Sequence, residues 1–319
     1  MIEFQNVTKQ YGDGTKAVDC LDMEIKRGEF IVLVGPSGCG KTTTLKMINR
    51  LIEPTKGSVL INGREAEKYD IHRLRWDIGY VLQQIALFPH MTVEENIMVV
   101  PEMKQMDKMV MKRRAHELME QVGLPPAVFA QRKPSELSGG QQQRIGVIRA
   151  LAADPEILLM DEPFSALDPV AREKLQDDLL RLKRSFNKTT VFVTHDMNEA
   201  LKLADRICVM RDGSIVQTGT PDELRRNPSG AFVRDFIGRG ESRLCEVLDL
   251  RQSVSSVPAG TPPPQASLPA KVRTDQLLRI MADHETAGVE DGGEMIGLIT
   301  RASAFRLLAE SGKVADRDE

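Results

Sequence analysis

The feature that most constrains this fold is the sequence GPSGCGKT at 35–42, which directly follows the apolar run FIVLV at 30–34. Its spacing, G-x-x-x-x-G-K-[ST], is that of a phosphate-binding loop between a buried strand and a helix. Gly35, Gly38 and Gly40 let the backbone curl so that successive N–H groups point into one concavity. The following segment, TTTLKMINRLI, would aim the positive end of a helix at a bound anion. We therefore expect a phosphate site inside an α/β sheet.

Further residues of this loop are candidates for direct ligand contact. Lys41 would lie over the β- and γ-phosphates of a nucleotide, and Thr42 would offer its hydroxyl to Mg²⁺. The alternative is a glycine-rich turn that fits the pattern by chance, but the strand before it and the helix after it favour the phosphate site. Because Cys39 lies inside the loop, we expect thiol alkylation to inhibit the protein and bound ATP to protect it.

Length and composition leave room for a large core and narrow the range of partners. The 319 residues allow one large α/β domain with an appendage, or two domains of about 150 residues. The formal net charge of −3 argues against a general affinity for nucleic acid. Four cysteines without metal or redox spacing fit a reducing cytosol: Cys20, Cys39, Cys208 and Cys245. No apolar run approaches the roughly 18 residues of a membrane span, and the first residues lack a secretion signal, so we expect any membrane role to come from a partner.

Two strand pairs near the phosphate loop predict a small antiparallel β subdomain beside a parallel core. MIEFQNVTKQY and AVDCLDMEI form one pair, and GSVLINGREA forms a hairpin with a turn at Asn62–Gly63. Tyr11 ends the first strand. It could stack on a flat base or be an ordinary strand-end tyrosine, and the residues alone favour neither.

A helical insertion is predicted from about 84 to 153. The strand IGYVLQ before it ends at Gln83, which could touch Mg²⁺ or water, although an isolated glutamine is more often a solvated loop residue. Thr92 and Glu95 have the spacing of a capping box that opens a helix. The insertion is rich in methionine, which could form a docking surface or fill the core, and for most of these residues we expect core filling: Met98, Met103, Met106, Met109 and Met111.

The sequence LSGGQQQR at 137–144 predicts a second anion site. Ser138 can cap the helix that follows, and Gly139 and Gly140 leave its N-terminal amides uncovered. One nucleotide needs a single phosphate cradle. The second cradle is therefore either accidental or serves a nucleotide held by another copy of the chain.

Two further strand ends carry candidate catalytic residues. EILLMDEP places Asp161 to hold Mg²⁺ through water and Glu162 to polarise an attacking water. Asp168 follows in SALDP. TVFVTHD ends in His195, and although a lone histidine is more often structural, one at the end of a core strand lies where γ-phosphate chemistry would occur.

Taken together, these motifs resemble the ATPase subunit of an ABC transporter, over about residues 1–240. In chain order they are Tyr11, GPSGCGKT, Gln83, LSGGQ, ILLMDE, SALD and VTHD. LSGGQ makes the resemblance specific, since phosphate-loop proteins at large lack it. The resemblance implies an α/β P-loop NTPase fold with a parallel core sheet, a small antiparallel β subdomain and a helical subdomain at about 84–153. It also implies ATP and Mg²⁺ as ligands.

The resemblance further implies a role for each motif residue. Glu162 is the catalytic base, His195 is the γ-phosphate switch, and Gln83 senses Mg²⁺ and the membrane partner. Tyr11 stacks on adenine. The implied nucleotide contacts are Tyr11, Gly35, Ser37, Gly38, Cys39, Gly40, Lys41, Thr42, Thr43, Ser138, Gly139, Gly140, Gln141 and Asp168, and the implied metal site consists of Thr42, Gln83 and Asp161.

The same family forms a head-to-tail dimer in which two ATP molecules lie between one chain's phosphate loop and the other chain's Ser138–Gln141. This arrangement accounts for two anion sites in one sequence. The implied partners are a second copy, transmembrane permease subunits and, through them, a substrate-binding protein, without nucleic acid. We expect the protein at the cytoplasmic face of the inner or plasma membrane.

Within the family, LQQIALFPHMTVEENI and FVRDFIG resemble the ATPases of osmoprotectant importers, which carry glycine betaine, choline, carnitine or proline. An ATPase subunit does not contact the substrate, so its residues do not encode which one is carried. The alternatives are the ATPase of another importer, for amino acids or other small solutes, and a soluble ABC ATPase acting on DNA or ribosomes. The sequence shows neither the coiled-coil insertion nor the tandem cassettes of those soluble members.

The composition changes after Gly240. We expect 241–270, with the proline-rich PAGTPPPQASLPA, to be an extended linker without a core. Residues 271–319 predict helix, strand, turn, strand and helix, which resembles a single, degenerate cystathionine-β-synthase (CBS) module. It would either help dimerisation or sense ionic strength or nucleotide, and we expect it to pair across a dimer.

Overall fold

The computed structural model describes residues 1–245, 247–255, 264, 266–292 and 294–315. The chain divides into two compact units. The larger unit consists of Met1–Ala166 and Leu175–Ile237, and the smaller of Leu167–Lys174 and the described part of Gly238–Glu319.

The larger unit is built on a six-stranded sheet with the strand order β10-β9-β3-β8-β7-β6. Its strands are β3 (Phe30–Val34), β6 (Ile78–Val81), β7 (Ile157–Asp161), β8 (Thr189–Thr194), β9 (Arg206–Arg211) and β10 (Ser214–Gly219). All neighbours pair in parallel except β10, which is antiparallel to β9. Every residue of β3, β7 and β8 is buried, because both faces of a parallel sheet are covered. The predicted α/β fold with a parallel core is confirmed.

This strand order brings the predicted site residues to one edge. The phosphate loop leaves the carboxyl end of β3, Asp161 ends β7, and His195 follows β8. Since β3, β8 and β7 are parallel neighbours, their carboxyl ends meet on the same side of the sheet.

A second, antiparallel sheet has the order β2-β1-β4-β5. It consists of β1 (Ile2–Gln10), β2 (Lys16–Ile25), β4 (Lys56–Ile61) and β5 (Arg64–Glu65). Between β4 and β5, Asn62 and Gly63 have φ angles of 52° and 76°, which are the left-handed values that a two-residue hairpin turn requires. The small antiparallel β subdomain expected from the sequence is therefore present.

The predicted helical insertion is present and consists of α3 to α6. The helices from the phosphate loop onward are α1 (Lys41–Ile48), α2 (Ile71–Trp76), α3 (Val93–Met103), α4 (Lys108–Gln121), α5 (Pro126–Phe129), α6 (Gly139–Leu151), α7 (Pro169–Phe186), α8 (Met197–Leu203), α9 (Pro221–Arg226) and α10 (Ala231–Cys245). The capping box at Thr92 and Glu95 starts α3, as the sequence predicts.

The expectation that most methionines of the insertion fill the core is wrong. Met111 is buried, but Met103 and Met109 are 53% and 77% exposed, and Met98 and Met106 are half-buried. The reason is helical geometry: in the first turns of α4, Met109 lies beside the exposed Lys108, while Met111 falls on the face that packs inward.

The smaller unit contains the helix–strand–strand–helix order predicted for 271–319. A three-stranded sheet runs in the order β12 (Ser267–Pro269), β14 (Thr286–Asp291), β15 (Glu294–Thr300), and β11 (Val247–Asp249) pairs with β13 (Lys271–Arg273). The two helices that complete the described part are α11 (Thr274–Asp283) and α12 (Arg301–Ala315).

The predicted linker at 241–270 is wrong at both ends. Helix α10 continues to Cys245, and Leu248, Leu250 and Leu268 lie in the core of the smaller unit. Short apolar segments at each end of the range pack, although the average composition of the range is that of a spacer. Most of the proline-rich stretch lies outside the described residues.

In the described part of the chain, no helix has both the length and the apolar character needed to cross a bilayer.

Asn96 holds the segment that leads into α3. Its side chain is fully buried, its Oδ1 accepts a hydrogen bond from the Phe88 N–H at 2.8 Å, and its Nδ2 donates to the carbonyls of Phe88 and Thr92 at 3.1 and 2.9 Å. We predict that Asn96→Ala lowers the free energy of unfolding by about 2 to 3 kcal/mol, because backbone groups lose their partner. Urea unfolding followed by circular dichroism measures this change.

The control is Asn227→Ala, at an exposed helix end, where a change of less than about 0.5 kcal/mol is expected. Equal destabilisation by the two substitutions would show that the Asn96 hydrogen bonds contribute nothing specific.

Candidate functional site

The backbone of the phosphate loop is packed so closely that two of its glycines cannot be replaced. A Cβ on Gly35 would lie 2.1 Å from the Met210 carbonyl oxygen, and one on Gly40 would lie 2.2 Å from that of Ala17. Gly40 also has a φ of 100°, which favours glycine. Since Gly40 precedes α1 and has no side chain to cap it, the first amides of the helix remain open to an anion.

Lys41 supplies a fixed positive charge inside the loop. The residue is 4% exposed, and its Nζ donates hydrogen bonds to the carbonyl oxygens of Gly35 at 2.7 Å and Pro36 at 2.8 Å. Ser37 is exposed and Thr43 is half-buried. The loop thus combines uncapped amides with a held ammonium group, a combination that suits phosphate oxygens.

The structure corrects the expectation for Cys39. Its side chain is only 4% exposed and lies in the hydrophobic core beneath the loop. Burial raises the pKa of the Cys39 thiol, and the positive charge of Lys41 offsets this only in part. Because alkylating reagents attack the accessible thiolate, ready alkylation of Cys39 is no longer expected.

Asp161 is joined to the loop by a hydrogen bond. Thr42 Oγ1 donates to Asp161 Oδ1 at 2.7 Å, and the Tyr80 hydroxyl donates to Asp161 Oδ2 at 3.5 Å. The aspartate is 4% exposed. Burial raises its pKa, while the hydrogen bond from Thr42 and the charge of Lys46, one turn further along α1, act in the opposite direction.

These residues suit a magnesium ion. Hydroxyl and carboxylate oxygens are the ligands that Mg²⁺ prefers. The Asp161 carboxylate is buried, and a divalent cation would offset the cost of keeping its charge away from water. Thr42 and Asp161 are therefore the residues that could hold the metal.

Glu162 and His195 form a second pair beside Asp161. The Glu162 Oε2 and the His195 Nδ1 are 3.1 Å apart, and the histidine side chain is 56% exposed. Glu162 has a φ of 45°, an uncommon value for a residue other than glycine, and its N–H donates to the Val193 carbonyl at 3.0 Å. The two strand ends thus present a carboxylate and an imidazole in hydrogen-bonding contact at the open edge of the sheet.

Sequence reasoning missed three residues that support this cluster. Tyr80 and Lys46 both act on Asp161. Glu199 is 5% exposed and accepts a hydrogen bond from the Thr194 hydroxyl at 2.5 Å, which holds the turn before His195. One sequence signal could have indicated Glu199, because it is an acidic residue on the side of α8 that is buried. No local pattern points to Tyr80.

Other predicted site residues lie on separate elements. Tyr11 follows β1 and is 43% exposed, and Gln83 is exposed beyond β6. The Ser138 Oγ accepts from the Gln141 N–H at 3.3 Å and so caps α6, whose first residues are Gly139 and Gly140. This helix end, with Ser138 exposed, is a second open group of amides on the same chain.

Asp168 lies at the start of α7. Its Oδ1 accepts hydrogen bonds from the N–H groups of Val170 and Ala171, at 3.1 and 2.9 Å. The aspartate therefore caps that helix. Its predicted contact with a nucleotide stays a prediction.

Comparison with known proteins places these features in a family context. The family model described as "ABC transporter" matches residues 18–165. The glycine betaine/carnitine/choline transport ATP-binding protein OpuCA of Bacillus subtilis (strain 168) is 56% identical over 239 residues, which cover 75% of this chain and 63% of OpuCA. The chain thus spans less than two thirds of that relative.

Two further comparisons cover a larger share of the matched protein. The osmoprotectant import ATP-binding protein OsmV of Salmonella typhimurium is 48% identical over 318 residues, which cover 95% of this chain and 80% of OsmV. A solved dimeric structure of the ATP-binding cassette MJ0796, in a post-hydrolysis state bound to ADP and Pi, has a TM-score of 0.62 and 38% identity. It covers 69% of this chain and 99% of that one.

The positions of the cysteines predict their order of alkylation. Cys20 is exposed, Cys39 is buried with a raised pKa, and burial raises the pKa of Cys208 to about 12. Among these three cysteines, we expect iodoacetamide near neutral pH to modify Cys20 first, and Cys39 and Cys208 at least about tenfold more slowly, since each pKa unit removes about nine-tenths of the thiolate. Mass spectrometry of the tryptic peptides measures the three rates.

Unfolding in urea provides the control, because it should bring the three rates together. Labelling of Cys39 in the folded protein as fast as that of Cys20 would contradict the buried position of its thiol.

Proposed function

We propose, since the chain belongs to the ABC transporter family of ATP-binding proteins, that it binds and hydrolyses ATP to power uptake of a betaine-type osmoprotectant through a membrane permease. The observation that carries this proposal is the cluster at the sheet edge. The phosphate loop, the Thr42–Asp161 hydrogen bond and the Glu162–His195 contact lie at the ends of neighbouring parallel strands.

Each residue of the cluster has a task in hydrolysis. The loop amides and Lys41 bind the β- and γ-phosphates. Thr42 and Asp161 would hold Mg²⁺, whose charge would offset that of the phosphates. The Glu162 carboxylate accepts the proton of the attacking water, and His195 orients that carboxylate from 3.1 Å. Phosphoryl transfer needs positioning and charge stabilisation more than covalent chemistry, and this set of groups supplies both.

The second anion site fits a nucleotide held by another copy. Ser138 and Gly139 are exposed at the start of α6, a helix of 13 residues. The amides of such a helix start favour negative charge, and the γ-phosphate of an ATP on a neighbouring chain carries it. The solved cassette named above is dimeric and bound to ADP and Pi, which supports a paired arrangement for this chain. Tyr11 would stack on the adenine, and Gln83 would contact both the metal and the permease.

The substrate class rests on the relatives. OpuCA and OsmV carry names that refer to glycine betaine, carnitine, choline and osmoprotectant transport. We take the substrate to be of that class, with transmembrane permease subunits and a substrate-binding protein as partners and the cytoplasmic membrane face as the location. An importer of amino acids or another small solute is the alternative, because the ATPase subunit does not contact the transported molecule.

Replacing Glu162 by glutamine tests the chemistry. Glu162→Gln keeps the shape and the contact distance to His195 but cannot accept a proton. We expect kcat for ATP hydrolysis to fall about 100- to 10,000-fold while ATP affinity is retained. Phosphate release and equilibrium nucleotide binding measure the two quantities.

Glu156→Gln is the matched control. Glu156 directly precedes β7, the strand that Glu162 follows, and its side chain is 54% exposed. This substitution should leave both quantities unchanged. A Glu162→Gln protein that hydrolyses ATP at the rate of the unmodified chain would remove Glu162 from the role of base.

The smaller unit is proposed to pair across the dimer and to adjust transport. Deleting 247–319 should weaken self-association, measured by sedimentation equilibrium, because the paired surface is lost. It should also abolish the response of glycine betaine uptake to external osmolality, measured in vesicles that contain the permease. Deletion of 316–319 alone is the control. Unchanged association together with unchanged regulation would rule this role out.

A further inference from the structure

We propose that Tyr80 is a positioning residue for the magnesium site, because its hydroxyl holds the Asp161 carboxylate through the oxygen that Thr42 does not use. This role rests on the proposed function, since it concerns the site that would bind Mg²⁺ with a nucleotide. Tyr80 lies within the strand IGYVLQ but was not a candidate site residue in the sequence, and the pairing of β6 with β7 brings it to Asp161.

The sheet register brings the two side chains together. β6 pairs in parallel with β7, with Tyr80 opposite Leu159 and Val81 opposite Met160, so Asp161 comes next at the end of β7. The Tyr80 ring is half-buried against the core of the larger unit. Its position is therefore set by packing, and the hydroxyl reaches Asp161 from a rigid strand.

Two hydrogen bonds hold the Asp161 carboxylate in place, one on each of its oxygens. Thr42 Oγ1 lies 2.7 Å from Oδ1, and the Tyr80 hydroxyl lies 3.5 Å from Oδ2. With a donor on each oxygen, rotation about the Cβ–Cγ bond would break one of the two contacts. Without Tyr80, Oδ2 would lose its donor at a residue that is only 4% exposed. A metal ligand that is held in advance loses less freedom on binding.

The phenol is suited to act as the donor. The hydroxyl carries one proton that it can donate, and the Asp161 carboxylate at 3.5 Å is the acceptor.

The contact also ties the metal site to the segment that enters the helical insertion. Tyr80 precedes Gln83 by three residues, and Gln83 lies just beyond the end of β6. The position of Asp161 thus depends on the same strand that positions Gln83.

The test is Tyr80→Phe, which removes the hydroxyl and keeps the ring. Tyr69→Phe is a matched control, because Tyr69 is also half-buried against the same core, while its hydroxyl donates to the Ile61 carbonyl at 2.7 Å and not to Asp161. ADP is the probe because it is not hydrolysed. Isothermal titration of the full chain gives ADP affinity in excess Mg²⁺ and in EDTA.

We expect Tyr80→Phe to weaken ADP binding about three- to tenfold in Mg²⁺, as the loss of one hydrogen bond of ordinary strength implies, with no change in EDTA. Tyr69→Phe should match the unmodified chain in both conditions. Equal affinities of Tyr80→Phe and Tyr69→Phe in Mg²⁺ would overturn the proposal, and so would an equal loss in Mg²⁺ and EDTA, which would indicate general damage. If the unmodified chain itself bound ADP no better with Mg²⁺, the proposed function would fail first, and this role with it.

Discussion

The hydrogen bond from Thr42 to Asp161 joins the phosphate loop to the end of β7, and the rest of the site depends on it. Thr42 begins the helix that follows β3, and Asp161 ends β7; these two strands are not neighbours, because β8 lies between them. The parallel sheet brings the carboxyl ends of β3 and β7 to one side, where Thr42 Oγ1 and Asp161 Oδ1 are 2.7 Å apart. A buried aspartate is costly to keep charged, and the contacts from Thr42, Lys46 and Tyr80 reduce that cost. The same carboxylate is thereby kept available for a cation.

The two anion sites of the chain differ in their surroundings, and under the proposed function this difference would explain a need for two copies. The phosphate loop has a fixed ammonium, a metal-binding pair and a base close by, whereas the helix start at Ser138 offers exposed amides alone. The first can hold a nucleotide, and the second can complete the contacts around its γ-phosphate. A dimer that pairs the two would close when ATP is bound and reopen after hydrolysis, and that motion is what a permease would use.

Much of this fold could be predicted from local sequence signals, because those signals have local causes. FIVLV is apolar throughout since β3 is buried on both faces, and Thr92 with Glu95 starts α3 since the first amides of a helix need partners. The sequence could not show which strands and side chains lie next to each other in the fold. Tyr80 reaches Asp161 because β6 lies beside β7. Cys39 is buried because the phosphate loop packs on the core. The linker prediction failed because average composition hides short packed segments such as the one that contains Leu248.

The most direct test of the account is the molar mass of the hydrolysis-deficient chain at high concentration, measured by light scattering with and without ATP and Mg²⁺. The account predicts a doubling of mass on addition of ATP, and no doubling when Ser138 is also replaced by arginine, which would block the second anion site. A chain that binds ATP and still remains monomeric would contradict the shared nucleotide site on which the proposed function rests.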